Sequence, residues 1–275
     1  MAVTKSNLAM RLLTAAVAVP VILFLLYKCP PYAFYFLAFP AALVGSFELF
    51  AMTHPGDRVS QVVGVLLAAA ASLLVWFFGH DTRVLLTLLV AIPLLGPLLT
   101  LIRVGDISTA ALRACAMGFG PLFVALPMTM LAMLRRDMQD DGPGYVLVTL
   151  MFAWLADTGG YFAGRFLGKH KLYELVSPKK TVEGAVGGLA GSVVGALLAS
   201  LVYLPAFPLA HSIPLAIVAS ALGQAGDLGE SLLKRSTGVK DSGAIVPGHG
   251  GVLDRIDALL LTSTAVYLYM LWVHH

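Results

Sequence analysis

RVLLTLLVAIPLLGPLLTLI, residues 83–102, carries a single charge, at its first position, in twenty residues. A helix rises about 1.5 Å per residue and the hydrocarbon core of a bilayer is about 30 Å thick, so this stretch has the length of one membrane crossing. Working outward, comparable runs place spans at about 8–27, 32–52, 59–79, 83–102, 109–134, 144–164, 182–204, 213–233 and 256–273. Composition agrees: 59% of residues are hydrophobic and 12% charged, against roughly 45–50% and 25% in soluble domains. The expected fold class is an all-α integral membrane protein, a polytopic bundle of about nine transmembrane helices. Residues 1–275 are expected to form one membrane domain, with 1–140 a mainly hydrophobic scaffold and 141–275 a catalytic half holding a polar, cytoplasm-facing cavity.

Lys5 and Arg11 stand ahead of the first apolar run as they would in a signal peptide, but the run exceeds the usual length of about 7–15 residues. It is read as a retained first span. With the N-terminus inside, 14 of the 18 Lys and Arg residues fall on the cytoplasmic side. The exceptions are Lys28, Arg83, Arg135 and Arg136, so the positive-inside rule predicts N-terminus in and C-terminus out. A net charge of +3 with no basic stripe gives no sign of a nucleic-acid partner. Cys29 and Cys115 belong to no CxxC pair and are read as packing residues.

Charge inside the bilayer marks where chemistry is to be sought. Asp157 lies within the sixth span, where a charge costs on the order of 3 kcal/mol, so it requires a polar cavity or partner. Glu48 lies near the inner end of the second span, close enough to an interface to reach water. Gly160, Gly164 and Gly168 repeat every four residues, as do several glycines between Gly184 and Gly195, and such faces let helices approach closely. Between them, Ser177, Lys179, Lys180 and Thr181 form a run whose ammonium and hydroxyl groups suit phosphate oxygens, although a plain cytoplasmic anchor would also explain the charge.

In the eighth span Gln224, Asp227, Glu230, Ser231 and Lys234 recur at three- or four-residue intervals and share a face; Asp254 and Asp257 do the same at the start of the ninth, with Arg255 turned aside. Four carboxylates aimed at one zone need countercharge. Oxygen-only ligands without a Cys or His cluster suit Mg²⁺, and ion pairs with Lys234, Arg235, Lys240 and Arg255 are the alternative. A second cation is left open. Gly248, Gly250 and Gly251 precede the ninth span and would let backbone N–H groups meet an anion, with His249 as a further donor to phosphate.

The run SLLKRSTGVKDSGAIVPGHGGVLDRID, residues 231–257, resembles the signature of the phosphatidate cytidylyltransferases, or CDP-diacylglycerol synthases. Ser231, Lys234-Arg235, Lys240-Asp241, Gly243, Pro247-x-His249-Gly250-Gly251 and Asp254-Arg255-x-Asp257 stand where that family has them. Val246 stands where the family has a larger apolar residue. DTGGYFAGRFLGKHK and SPKKTVEG resemble the family's upstream segments, so the likeness covers roughly residues 150–260.

The resemblance implies that CTP and phosphatidic acid give CDP-diacylglycerol and pyrophosphate, with Mg²⁺, in a polytopic fold that forms a homodimer in the cytoplasmic (inner) membrane. It implies Asp227 and Asp254 as metal ligands, with Asp257 and Glu230 beside them. It further implies that Lys179, Lys180, Lys234, Arg235, Lys240 and His249 hold phosphates and that Asp157 lines the cavity. Arg255, Ser177, Thr181, Gly250 and Gly251 complete the expected substrate-binding set. A phosphomonoester is largely dianionic at neutral pH, so such a reaction needs no strong general base. A CTP-dependent lipid kinase and a cation-coupled transporter are the rival readings; the transporter would call for inverted repeats and a midplane site.

Overall fold

Several of the apolar runs close into helices at recognisable start signals. Pro31 sits at the first position of its helix, where its missing N–H removes no bond. Asp57, Asp81 and Thr181 accept hydrogen bonds from the backbone N–H groups of Ser60, Arg83 and Gly184, capping three further helices. The computed structural model describes residues 5–245 and 250–273, with side chains from residue 16 onward. The helices are α1 (Lys5–Lys28), α2 (Pro31–Thr53), α3 (Arg58–Phe78), α4 (Thr82–Ile102), α5 (Ala110–Asp137), α6 (Gly142–Phe166), α7 (Val182–Leu198), α8 (Leu209–Ser236) and α9 (Leu253–Val273). A π-helical turn, Ala199–Tyr203, extends α7.

Among the described residues, eight helices, α2 to α9, are long and apolar enough to cross a membrane. The chain is a multi-pass, all-α membrane protein, and no helix end lies more than four residues from its expected limit except that of α7, which stops at Leu198 and reaches Tyr203 only through its π-helical turn. One element departs from the expectation. The basic segment between α6 and α7, read as a loop, contains an antiparallel hairpin of β1 (Lys171–Tyr173) and β2 (Ser177–Thr181), with Lys171 opposite Thr181.

The bundle is asymmetric about α5. That helix packs against α2, α3, α4, α6 and α9, so 72% of its apolar window is buried. α4 buries only 17% of its window and turns residues such as Leu101 and Ile102 outward, as a lipid-facing helix does. Cys29 and Cys115 are both free, and Cys115 is exposed on α5 rather than packed.

The most extensively packed helix pair among the described residues is α6 with α7. A Cβ on Gly191 would overlap the backbone carbonyl of Leu155, and one on Gly159 would overlap the carbonyl of Gly187. Backbone cannot step aside as a side chain can. Gly191→Val is therefore expected to push α7 off α6 and to destabilise the protein by about 1–3 kcal/mol, the usual cost of overpacking. The check is the melting temperature in detergent against Val194→Ala, an exposed position on the same helix.

Candidate functional site

Four helices meet at one end of the bundle: the C-terminal halves of α6 and α8 and the N-terminal turns of α7 and α9. Between them and the hairpin lies a cavity of about 520 Å³. Its glycine wall, Gly160, Gly164 and Gly184, follows from the same close approach that joins α6 to α7. Asp157 from α6, Lys179 and Lys180 from β2, Asp227 from α8, and Asp254 and Asp257 from α9 all line it. Thus, with Thr181, seven of the expected site residues, distant in sequence, converge on one polar pocket. The Thr181 hydroxyl additionally caps α7 at 3.1 Å from the Gly184 N–H.

Two of the four pocket carboxylates, Asp227 and Asp254, are already partnered by lysines. Lys180 Nζ is 2.6 Å from Asp227 Oδ2, and both side chains keep about a third of their surface in contact with solvent (27% and 30%). Lys234 lies deeper, 2.6 Å from Asp254 Oδ1 and 2.5 Å from Glu230 Oε2. Glu230 is 1% exposed. The Lys234 ammonium is its countercharge, off the angle of a good hydrogen bond. The other oxygen of Asp254, Oδ2, accepts from the N–H of Gly251 (2.8 Å), the N–H of Ser242 (2.9 Å) and the Ser242 hydroxyl (3.0 Å). These contacts lock the first turn of α9 to the loop that precedes it. Both lysine partners are close to the ion-pair alternative weighed from sequence, with Lys180 taking the place expected of Arg235, Lys240 or Arg255.

Several expected contributors stand elsewhere. Glu230 is held by Lys234 behind the pocket wall rather than in it. Arg235 donates to the carbonyls of Val176 (3.5 Å) and Val239 (3.4 Å), tying the hairpin to the end of α8. Lys240 and Arg255 are exposed outside the cavity, and Ser177 is half-buried in β2 away from it. The N–H of Gly251, expected to face an anion, is instead bound to Asp254; Gly250 beside it needs its freedom, with φ at +82°. His249 and Gly248 lie outside the described residues.

Sequence reading gave no site role to three polar residues of the lining. Tyr161 and Arg165 stand one helical turn apart at the pocket rim, joined by a 2.6 Å bond from the guanidinium to the phenol oxygen. Their i, i+4 spacing on the pocket face of α6 was the available signal. Gln224 was placed on the polar stripe but given no role; its amide donates to the Ala185 carbonyl at 3.2 Å and pins α8 to α7.

Among the described residues no three His, Cys, Asp or Glu side chains converge as a preformed metal cage. The donor set is nevertheless oxygen only, from Asp227, Asp254 and Asp257, and it opens onto a cavity. That chemistry fits a hard cation of the Mg²⁺ type, which keeps waters and is held by one or two carboxylates together with substrate phosphates.

A second polar concavity, about 690 Å³, lies between the α2–α3 and α4–α5 loops. Among the described residues, one ion pair and backbone carbonyls take up most of its polar groups. Arg103 is 2.9 Å from Asp57, and the Arg113 guanidinium donates to the carbonyls of Val104 and Asp106. Burial, aided by that guanidinium, pushes the His54 imidazole down to about 4, so it is neutral at physiological pH. None of the expected site residues lies there.

Fold and site together define a multi-pass helical membrane protein with one carboxylate- and lysine-lined pocket at the end of four closely packed helices. The chain belongs to the cytidylyltransferase family, whose family model matches residues 9–273. It is similar to proteins named phosphatidate cytidylyltransferase in three staphylococci. Identity is 41% over 141 residues with Staphylococcus saprophyticus (51% of this chain, 54% of the relative). It is 46% over 124 residues with Staphylococcus haemolyticus (44% and 47%), and 44% over 130 residues with Staphylococcus aureus (46% and 49%). The chain thus spans about half the length of the curated relatives it matches.

Proposed function

We propose that this chain is a phosphatidate cytidylyltransferase, an Mg²⁺-dependent enzyme that joins CTP to phosphatidic acid at the cytoplasmic face of the inner membrane. The observation that carries the reading is the convergence of Lys179, Lys180, Asp227, Asp254 and Asp257 on one pocket in a membrane bundle. A nucleotide needs such charge, and a lipid substrate needs the bilayer beside it.

In the reaction, a phosphate oxygen of phosphatidic acid attacks the α-phosphorus of CTP. The bond from that phosphorus to the bridging oxygen of the β-phosphate breaks, and pyrophosphate leaves with the electron pair. The attacking phosphate is already largely dianionic, so no side chain has to remove a proton. Lys179 and Lys180 neutralise the triphosphate, and Lys180 exchanges its contact with Asp227 for one with a phosphate. Arg165 at the rim adds a cation where substrate enters. A bound Mg²⁺ would be held by Asp227 and Asp254, with Asp257 beside them, and would supply charge neutralisation on the departing pyrophosphate. The distribution of Lys and Arg supports N-terminus in and C-terminus out, and the family resemblance supports a homodimer.

The test is product analysis on purified protein in detergent with CTP, phosphatidic acid and Mg²⁺. Pyrophosphate and CDP-diacylglycerol are expected in equal amounts, only when both substrates are present. Chelation by EDTA is expected to abolish turnover and Mg²⁺ to restore it. Formation of CDP with a phosphorylated lipid would move the chain to the kinase reading, and no nucleotide chemistry at all would return it to transport.

A further inference from the structure

Glu48 belongs to α2, in the half of the chain read as scaffold, yet it is 2% exposed and far from being an interfacial residue that reaches water. Its carboxylate accepts three hydrogen bonds, all from the other end of the sequence. The Ser242 hydroxyl donates to Oε2 at 3.0 Å, the Val252 N–H to Oε1 at 3.0 Å, and the Leu253 N–H to Oε2 at 2.8 Å. The loop is moulded to this side chain. A Cβ on Gly243 or on Gly251 would overlap the Glu48 carboxylate.

Two of the three donors are N–H groups at the start of α9, where unpaired donors and the helix dipole favour a negative charge. The third is shared. The Ser242 hydroxyl lies 3.0 Å from Glu48 Oε2 and 3.0 Å from Asp254 Oδ2, so one O–H bridges two carboxylates. The Ser242 N–H also donates to Asp254 Oδ2, and the Asp254 N–H points back to the Ser242 hydroxyl at 3.3 Å. Lys234 holds the remaining Asp254 oxygen from the opposite side. Asp254 is therefore fixed between Lys234 on α8 and a Ser242–Glu48 brace that reaches across from α2.

We infer that Glu48 is a positioning residue for Asp254: through Ser242 and the first turn of α9 it sets the direction in which the Asp254 carboxylate enters the pocket. It touches neither pocket nor substrate. The inference rests on the proposed cytidylyl transfer for its kinetic consequence, and on the hydrogen-bond geometry alone for its structural one. Glu48→Gln keeps the volume but exchanges one acceptor oxygen for an NH₂ that faces N–H and O–H donors.

The experiment compares wild type, Glu48→Gln, Ser242→Ala and the double variant in detergent. The kinetic readout is kcat and KM for CTP, corrected for folded fraction. Displacing a catalytic group by about 1 Å costs on the order of 10²-fold, so kcat is expected to fall between 10- and 100-fold (~10–10²) in Glu48→Gln, with KM for CTP changed much less. The double variant should be no worse than the poorer single, because both act along one path. Losses that multiply, or that vanish after correction for folded fraction, would overturn the inference.

The second readout is amide exchange at Gly251, resolved by fragmentation mass spectrometry. That N–H is bonded to Asp254 rather than Glu48, so it reports whether Asp254 has moved. Exchange is expected to accelerate in Glu48→Gln, and equally in Asp254→Asn measured alongside as the reference for a displaced Asp254. If wild type makes no CDP-diacylglycerol, the functional proposal falls and exchange alone decides; unchanged protection at Gly251 then overturns the positioning role.

Discussion

Replacing Asp227 by Asn is expected to lower pyrophosphate release by at least about 10²-fold, the scale on which a preorganised electrostatic contact acts in a transition state, while leaving the melting temperature within a few degrees of wild type. The two halves of that expectation have separate causes. Asp227 lines the pocket and is paired with Lys180, but both side chains keep contact with water. Ion pairs so placed contribute about 0–1 kcal/mol to stability, and a freed Lys180 can be solvated in the cavity. The fold loses little. On the proposed reading, catalysis loses a carboxylate that would hold the cation, and a neutral amide cannot replace its charge. Initial rates across an Mg²⁺ titration, with a melting curve on the same preparation, check both. A variant that keeps wild-type rate at every Mg²⁺ concentration would remove Asp227 from the site.

The same comparison shows which parts of the molecule were legible in its sequence. Hydropathy placed the helices because each span is an uninterrupted run whose length is imposed by the bilayer, and lipid-facing α4 is the plainest case. The ends of α8 and α9 were less legible for local reasons. α8 starts at Leu209 and continues through Pro214, since membrane helices tolerate a proline whose freed carbonyl finds other partners. α9 starts at Leu253, earlier than its apolar run, because the Glu48 carboxylate receives the N–H groups of Val252 and Leu253. No local pattern announces a cap supplied by a residue about two hundred positions upstream.

The site divides along the same line. Helical spacing correctly put Asp227, Glu230 and Lys234 on one face, and the Glu230–Lys234 contact is an i, i+4 pair. What spacing cannot give is depth. Nothing in the composition of α8 separates wet Asp227 from dry Glu230, or assigns Lys180 to one and Lys234 to the other. The hairpin was hidden because its lysines were counted for charge rather than read for alternation. Arg235 looked like a phosphate ligand in the linear motif, yet its guanidinium reaches backbone carbonyls of the hairpin and its own loop.

Depth makes Lys234→Met the variant with the largest expected effect on the protein itself. Lys234 is 9% exposed and stands between Glu230, 1% exposed, and Asp254. Asp254 has three further donors, whereas among the described residues Glu230 has no hydrogen-bond partner besides this countercharge. Removing the ammonium strands a buried carboxylate, which costs about 3–5 kcal/mol. At about 2–4 °C per kcal/mol for chains near this size, the melting temperature should fall by roughly 10 °C. The compensating double variant separates the two roles of the lysine. Lys234→Met with Glu230→Met replaces the buried pair by apolar volume, and such replacements are neutral or stabilising, so the melting temperature should recover. Turnover should not, because Asp254 still lacks the cation that holds its Oδ1. Thermal unfolding and initial rates on the single and double variants decide the matter: a single variant that melts like wild type would show that Glu230 does not depend on Lys234, and a double variant that regains activity would show that Asp254 does not.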